Sequence, residues 1–444
     1  MPAPANDCGR SATSNRPVTN EADPSPARLA WIVTGLVLVA LLARLAVVFA
    51  IGTPHLLYDE LAYRWGADAG RPWSRWPPFV ECRPPGYLLF LYGLGRAGTD
   101  ARWLLSAQAL VSALALVPLV ALGRSWVGWR AALVAAVLIA LHPVHVGYAA
   151  LFMSETLYMT LLLAALALLF RRDAPRWVTV AAGVTFAAAC LVRGVPTPFI
   201  AVVLLWAVAG GWWAPREGLR RAGAFALGIV LVLGPWTARN AVVFGEFIPT
   251  DCQTMYNLWQ GNNPIRGWNL GLARRYLRHS TSPQAREAFA REQVVDYVLE
   301  DPAGWAWNKI TVQVPRLLGG MDGVHRNLLR HHRFGALSER AEAGVAAATT
   351  ATWLVVGTIG IAGLVLLPGD PRRTLVLLFG AFVVCAHVVG FAHARHRLPL
   401  EPLLALGVGV VLVRPAAAWR PTAGRIVVAA VLAAIVGTLA VAGS

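Results

Sequence analysis

The chain has 444 residues, of which 57% are hydrophobic and only 14% are charged, and its formal net charge is +16. Soluble globular proteins contain about 45–50% apolar and about 25% charged residues, so this composition excludes an ordinary soluble enzyme and indicates a membrane protein. Nearly all of the positive charge is arginine, and Lys309 is the only lysine. Because many arginines lie in short gaps between apolar runs, we expect membrane lipids and no nucleic acid among the partners.

The apolar residues are collected in runs that are long enough to cross a bilayer. About twenty residues are needed for one helical crossing, because every backbone polar group must be satisfied within the segment. The sequence predicts an all-α polytopic membrane protein with about 11 transmembrane helices, in a range of roughly 10–13. A shorter run at 86–94 is interpreted as a re-entrant or surface helix. The runs lie at 29–51, 102–122, 130–148, 155–170, 177–193, 196–213, 222–238, 346–367, 374–392, 398–413 and 425–443.

Short basic loops predict the orientation, because Lys and Arg are enriched in cytoplasmic loops. If the N-terminal tail is cytoplasmic, every short arginine-rich loop falls on the same side. We therefore predict a plasma (inner) membrane protein with a cytoplasmic N-terminus and an extracytoplasmic active site. The predicted parts are a disordered tail at 1–28, an N-terminal transmembrane catalytic module at 29–238 with a first extracytoplasmic loop at 52–101, a large extracytoplasmic loop at 239–345, and C-terminal transmembrane helices at 346–444.

Two polar motifs follow the first predicted helix. The adjacent acids Asp59 and Glu60 are unusual next to a membrane surface, and one of them could act as the general base for an acceptor. The alternative is a solvated helix N-terminus, where the helix dipole favours acids. Further on, Arg83 precedes two prolines and a short helix. Its guanidinium group, beside free helix N–H groups, suits a phosphate, and an ordinary interfacial arginine is the alternative.

A histidine-rich turn precedes the helix that begins near Glu155. A glutamate at the start of a transmembrane helix is costly, so Glu155 is either a site residue or part of a helix cap with Ser154. We expect His142 and His145 to lie close to Glu155. A metal is an alternative there, although the spacing matches no standard ligand pattern. Glu155 and His142 are therefore candidates for an acceptor site or a second acidic site.

Two further polar segments are predicted on the outer side. Arg239, Asn240, Asn262 and Asn263 belong to a segment that is rich in Trp, Gly and Pro. Such side chains suit sugar hydroxyls and stacking on sugar rings, and simple turn chemistry is the alternative. The second segment is the basic cluster Arg395, His396 and Arg397, whose position runs against the positive-inside bias. It therefore indicates a bound anionic group such as a lipid phosphate.

Two cysteines, Cys82 and Cys252, also fall in segments that we place outside the cytoplasm. A disulfide between them is one alternative. The five cysteines include no CxxC pair, so a zinc knuckle or a CxxC redox motif is not indicated.

Taken in order, these motifs resemble the GT-C glycosyltransferases, in particular the bacterial branch related to protein O-mannosyltransferases and the lipid A aminoarabinose transferase. The resemblance covers about residues 29–410. The motifs that carry it are Asp59-Glu60, Arg83-Pro84-Pro85-Gly86-Tyr87, His142-Pro143 with Ser154-Glu155, Pro235-Trp236 with Arg239-Asn240, Phe244-Gly245 and Gly261-Asn262-Asn263-Pro264, and Arg395-His396-Arg397-Leu398-Pro399.

The resemblance implies an inverting glycosyltransferase that moves a hexose or a pentose from a polyprenyl-phosphate or diphosphate carrier. The acceptor would be a lipid, a protein or a cell-wall glycan outside the cytoplasm. Asp59 would be the catalytic base, and Glu155 would lie near the acceptor or a divalent cation, for which Asp59 is the other candidate ligand. Arg83 and the 395–397 cluster would hold the carrier phosphate. The alternatives are a lipid-linked glycan flippase or transporter, and a polysaccharide polymerase or ligase.

Overall fold

A computed structural model describes residues 24–50, 56, 59–68, 83–265, 270–279, 282–320, 338–414, 419 and 421–442, and every regular element in these ranges is helical. The first half contains α1 (Pro26–Ala50), α2 (Asp59–Asp68), α3 (Gly86–Gly95), α4 (Ala101–Leu114), α5 (Leu116–Trp126), α6 (Trp129–Leu141), α7 (Pro143–Tyr148), α8 (Glu155–Leu169), α9 (Arg176–Val192), α10 (Phe199–Leu205) and α11 (Pro215–Phe244). The second half contains α12 (Thr254–Gly261), α13 (Leu270–His279), α14 (Pro283–Glu300), α15 (Pro302–Asn308), α16 (Val314–Leu318), α17 (Glu339–Leu354), α18 (Gly360–Leu366), α19 (Pro371–Val389), a 3₁₀ turn (Ala394–Arg397), α20 (Glu401–Val413) and α21 (Ala423–Ala442).

Six helical segments in the described ranges are long and apolar enough to cross a membrane. They are Pro26–Ala50, Ala101–Trp126, Pro215–Phe244, Glu339–Leu366, Pro371–Val389 and Ala423–Ala442. Each of the other predicted runs also contains an apolar helix, although a shorter one. The prediction of an all-α polytopic membrane protein is therefore confirmed. The expected number of about 11 crossings stays a prediction.

The helical path breaks between α6 and α7, at His142-Pro143. His142 adopts an extended conformation (φ −62°, ψ 119°), as expected for a residue that precedes proline. Pro143 has no N–H group, so it cannot bond to the carbonyl of Ile139 one turn earlier. The break leaves the last carbonyls of α6 in need of other donors, because a helix cannot satisfy them by itself.

Arg44 of α1 supplies these donors, and its side chain is completely buried. Its guanidinium group donates to the carbonyls of Ala140 at 2.9 Å and Ile139 at 3.4 Å, and to the carbonyl of Ala40 in its own helix at 2.9 Å. Its Nε also donates to the hydroxyl of Ser112 in α4 at 2.7 Å. The charge therefore ties α1 to α4 and to the broken end of α6.

Glycines allow α20 to pack closely against two neighbouring helices. A Cβ atom at Gly407 would lie 2.1 Å from the carbonyl oxygen of Gly360 in α18. A Cβ atom at Gly409 would lie 2.2 Å from the carbonyl oxygen of Ala131 in α6. Small residues are typical of close contacts between membrane helices. These contacts fix where α20 begins relative to the end of α6.

The segment between α11 and α17 has a small core of its own. Its members come from α12, α13 and α14, and they are Tyr256, Trp259, Leu272, Ala273, Tyr276 and Ala290. The carboxylate of Glu287 accepts hydrogen bonds from the backbone N–H of Met255 at 2.7 Å and from the hydroxyl of Tyr276 at 2.8 Å. Part of the predicted large loop is therefore a folded unit. In the same segment Cys252 is disulfide-bonded, and Cys82 lies outside the described residues.

We expect Gly407→Ala to destabilise the protein, because the added methyl group meets the backbone of α18. Overpacking typically costs about 1–3 kcal/mol. The matched control is Gly380→Ala in α19, where a new Cβ atom would have nothing within 4 Å. Thermal unfolding in detergent, followed by intrinsic fluorescence, should give a lower Tm for Gly407→Ala only. Equal Tm values for the two variants would contradict this packing.

Candidate active site

The centre of the site is the carboxylate of Asp59, which lies between two arginines. Nη2 of Arg83 is 2.7 Å from Oδ1, and both terminal nitrogens of Arg395 are 3.1 Å from Oδ2. Asp59 begins α2, Arg83 comes just before α3, and Arg395 lies in the 3₁₀ turn before α20. The fold therefore brings together three residues that the sequence analysis singled out in separate motifs.

Glu155, at the start of α8, extends this arrangement. Its Oε1 is 2.7 Å from Nη1 of Arg193 and 3.8 Å from Nε of Arg395. Ser154 does not cap the helix with its side chain, but its hydroxyl accepts hydrogen bonds from Arg193 and from Tyr63, both at 3.3 Å. Three arginines and two carboxylates therefore alternate, with one positive charge in excess.

The arginines determine the charge state of Asp59. Burial alone would raise the pKa of this carboxyl, but Arg83 and Arg395 hold it below its ordinary value. Burial would lower the pKa of Arg395, and the charges of Asp59 and Glu155 raise it instead. Burial, together with the neighbouring His387 and Arg395, lowers the pKa of His396 well below that of a free histidine. The site therefore combines an ionised aspartate, charged arginines and a neutral imidazole.

A small cavity opens beside this network. His396 stacks on His387 with ring centroids 4.0 Å apart, and both rings face the cavity. The lining residues are Glu155, Tyr158, Arg193, Val195, Val383, His387, Arg395, His396 and Pro399. Two of the lining residues, Arg193 and Arg395, are arginines, which are typical of sites that bind anionic groups.

The residues around Asp59 and Glu155 suit an anion better than a divalent cation. Both oxygens of Asp59 already accept bonds from arginine, and Oε1 of Glu155 lies against Arg193. A cation bound by these two carboxylates would face three guanidinium groups at close range, which is electrostatically unfavourable. The side chains at this position therefore do not fit a divalent cation.

Two predicted site residues occupy supporting positions. Glu60 is buried, and its Oε1 accepts a hydrogen bond from the backbone N–H of Phe152 at 3.1 Å. Arg397 points away from Asp59: its Nε lies 3.1 Å from Glu401, Nη1 donates to the carbonyl of Leu317 at 2.9 Å, and the guanidinium lies 3.9 Å from the ring centroid of Trp353. We predicted Arg395 and Arg397 in one phosphate pocket. The structure separates them: Arg395 contacts Asp59, and Arg397 contacts Glu401 and Trp353 on another side of the turn.

His142 has a partner that was not expected. Its Nε2 is 3.6 Å from Oε2 of Glu401 at the start of α20, and its expected proximity to Glu155 stays a prediction. Glu401 could not be recognised as a site residue from the sequence, because it stands inside a run that is otherwise apolar. The break before Pro143 directs His142 toward α20, and Glu155 is engaged by the arginines described above.

The asparagines of the large loop are occupied by backbone partners. Nδ2 of Asn240 donates to the carbonyl of Ile248 at 2.8 Å, and Nδ2 of Asn262 donates to the carbonyls of Leu258 and Val389 at 2.6 and 2.9 Å. Nδ2 of Asn263 donates to the carbonyls of Trp259 and Gln260 at 2.7 and 2.8 Å. Arg239 donates to Asn240 at 2.9 Å and lies over the ring of Trp236. These contacts favour the turn-forming alternative over direct sugar contacts.

Asp251 is a further acid near the site that the sequence analysis missed. A Cβ atom at Gly194, the residue after Arg193, would lie 1.8 Å from Oδ2 of Asp251. Burial raises the pKa of Asp251, and the charge of Arg83 partly opposes that effect. Because it stands among turn-forming residues, its sequence context carried no signal.

Comparisons with solved structures relate this arrangement to known proteins. The oligosaccharyltransferase of Archaeoglobus fulgidus, tethered to an acceptor peptide, is 15% identical and aligns over 94% of this chain and 55% of its own, with a TM-score of 0.50. The same enzyme, AglB, in complex with an inhibitory peptide and a dolichol-phosphate, is 14% identical with a TM-score of 0.50 and the same coverage. AglB is a GT-C fold membrane glycosyltransferase. The chain has the GT-C fold.

The fold predicted from the motif order is thereby confirmed. The GT-C chain described here spans about half the length of AglB, with 55% of that chain aligned. ArnT from Cupriavidus metallidurans, bound to undecaprenyl phosphate, aligns with a TM-score of 0.43 at 17% identity, over 87% of this chain and 78% of its own. No protein-family model matches the sequence, and neither does any curated protein.

We expect inorganic phosphate to stabilise Asp59→Asn more than the wild type. Without the carboxylate, Arg83 and Arg395 lose the negative charge between them, and an added anion can take its place. The measurement is the change in Tm on addition of phosphate, at constant ionic strength, in detergent. Glu292→Gln is the control, because it removes one negative charge from an exposed position of α14. The same phosphate-induced shift in all three proteins would rule out an anion site at these arginines.

Proposed function

We propose that the protein is an inverting glycosyltransferase that takes a sugar from a polyprenyl-phosphate carrier. The observation that supports this most directly is the carboxylate of Asp59 held between Arg83 and Arg395. Inversion needs a base on one side of the anomeric carbon and groups that bind the leaving phosphate on the other side. Asp59 can supply the base, and Arg83 and Arg395, which contact it directly, can supply the phosphate-binding groups.

In the proposed reaction, an acceptor hydroxyl or amine attacks the anomeric carbon of the sugar. The new bond forms on the face opposite the carrier, so the configuration inverts. The bond between the anomeric carbon and the phosphate oxygen breaks, and the phosphate leaves with the electron pair. Asp59 takes the acceptor proton, and arginines stabilise the negative charge that develops on the phosphate.

The ion pairs of the resting site suggest how substrate binding would activate Asp59. A carboxylate whose pKa lies below its ordinary value is a weak base. A carrier phosphate would compete for the same guanidinium N–H groups and draw them from Asp59. Because fewer positive charges would then act on the carboxylate, its pKa would rise and it would become a better proton acceptor.

The comparisons support a lipid-linked donor, since AglB is described with a dolichol-phosphate. The sugar, a hexose or a pentose, and the acceptor, a lipid, a protein or a cell-wall glycan, belong to the proposal. The proposal also includes a plasma membrane location, a cytoplasmic N-terminus and an extracytoplasmic site. It further includes the division of the chain into parts at 29–238, 239–345 and 346–444. The flippase alternative expects intramembrane charges along a transport path, whereas Arg44 is bound to helix carbonyls and Ser112.

We expect Asp59→Asn to abolish sugar transfer and to retain carrier binding, because asparagine keeps the shape, loses the base and leaves Arg83 and Arg395 available to the phosphate. The assay uses purified full-length protein and a panel of polyprenyl-phosphate donors with labelled sugars. Donor consumption and binding of labelled carrier are measured separately. Turnover by Asp59→Asn at the wild-type rate would remove Asp59 from the mechanism. Carrier that is translocated in vesicles without consumption of the donor would favour the flippase alternative.

We expect Arg395→Gln to move the acidic limb of the kcat/KM profile to higher pH. Burial raises the pKa of Asp59, and Arg83 and Arg395 lower it. When one of these guanidinium groups is removed, the pKa of Asp59 therefore rises. A base must be ionised to accept a proton, and activity is therefore lost as the pH falls through that pKa. In the wild type this loss occurs at lower pH. The control is Arg176→Gln at the distant ion pair with Glu217, and an acidic limb at the same pH in all three proteins would contradict the coupling.

A further inference from the structure

A second cluster of titratable side chains lies in the interior and plays no part in the proposed reaction. It consists of His142, His145 and Glu401, whose side chains are almost completely inaccessible to solvent. Nε2 of His145 is 3.0 Å from Oε2 of Glu401, and Nε2 of His142 is 3.6 Å from the same oxygen. The three potential ligand atoms lie within 4.8 Å of one another.

The local fold explains why these three groups converge. The break at His142-Pro143 ends α6, and α7 then places His145 one turn further on. Glu401 begins α20, whose position relative to α6 is fixed by the close contact between Gly409 and Ala131. Each ligand therefore comes from a helix end that is held by packing and not from a mobile loop.

The spacing of the donor atoms is close to that of a metal-binding site. Zn²⁺ binds histidine nitrogen and carboxylate oxygen at about 2.0–2.2 Å in a tetrahedron, which places the donors roughly 3.4 Å apart. The observed separations of 3.0 and 3.6 Å lie on either side of that value. Two imidazoles and one carboxylate suit zinc and other first-row transition metals, whereas Mg²⁺ and Ca²⁺ prefer oxygen ligands.

We propose that His142, His145 and Glu401 bind one first-row transition metal ion, with Zn²⁺ as the best fit. The ligand atoms are the two Nε2 atoms and Oε2 of Glu401, and one further ligand would complete a four-coordinate site. Arg397 supports the arrangement, because its Nε lies 3.1 Å from the other carboxylate oxygen and so orients Glu401. Such outer contacts to a ligand commonly fix its geometry.

The ion would join the end of α6 to the start of α20 next to the reaction site. The segment from Arg395 to Glu401 carries both functions: Arg395 contacts Asp59, and Glu401 contacts the histidines. The metal would therefore act as a positioning element for Arg395. Metal binding by these three side chains does not depend on the proposed function.

The test uses full-length protein purified in detergent without a polyhistidine tag. The protein is incubated with Zn²⁺, passed through a desalting column, and analysed for metal content by mass spectrometry. We expect about one equivalent in the wild type and at least a tenfold weaker affinity in Glu401→Gln and His145→Gln. His279→Ala is the control, because His279 is an exposed histidine of α13 and should leave the content unchanged.

A second measurement uses the wild type, so that its result does not depend on whether the variants fold. Zn²⁺ that binds only the native state must raise the Tm of the wild type as its concentration increases, and a chelator must lower it again. Co²⁺ in place of Zn²⁺ should give the visible absorption bands of a four-coordinate site. A wild type that retains no Zn²⁺ and whose Tm does not respond to Zn²⁺ would overturn the proposal and leave a simple histidine–glutamate ion pair. Equal metal content in wild type and Glu401→Gln would overturn it as well.

Discussion

The ion pairs of Asp59 with Arg83 and Arg395 are the interaction on which the candidate active site depends. Charges removed from water must be paired, or they destabilise the fold by several kcal/mol, roughly 3–5 when one partner is lost. The partners come from the first loop and from the turn before α20, and Asp59 and Arg395 are 336 residues apart in the chain. The site therefore exists only when both ends of the chain have packed together. Binding of an anionic substrate would then exchange one set of charge pairs for another, with little need to create new positive charge.

The short segment from Arg395 to Glu401 has two faces. On one face Arg395 contacts Asp59 and approaches Glu155, and His396 lines the cavity. On the other face Arg397 is held by Glu401, by backbone carbonyls and by the ring of Trp353. Because Arg397 is held in place, the backbone that carries Arg395 and His396 has less freedom to move. Two arginines that are separated by one residue therefore have different partners: Arg395 contacts Asp59, and Arg397 contacts Glu401 and backbone carbonyls.

Much of the fold and part of the site could be predicted from the sequence. The helices were predictable because a membrane permits few alternatives to long apolar helices. Asp59, Arg83, Glu155 and Arg395 were expected on one side, and the structure brings them together. The partner of His142 could not be predicted, because Glu401 stands in an apolar run and its role appears only when α6 and α20 pack. For the asparagines, composition does not distinguish turn formation from sugar binding, since both use the same side-chain amide.

Arg44 has a consequence for how the protein is made. Its donors are satisfied by carbonyls near residue 140, which are separated from it by up to 96 positions in the chain. During synthesis α1 is made before α6. Until α6 is in place, the guanidinium group of Arg44 lacks the carbonyls of α6 that it contacts in the folded protein. A chain that lacks α6, or in which α6 fails to pack, would leave the donors of Arg44 without the carbonyls of Ile139 and Ala140.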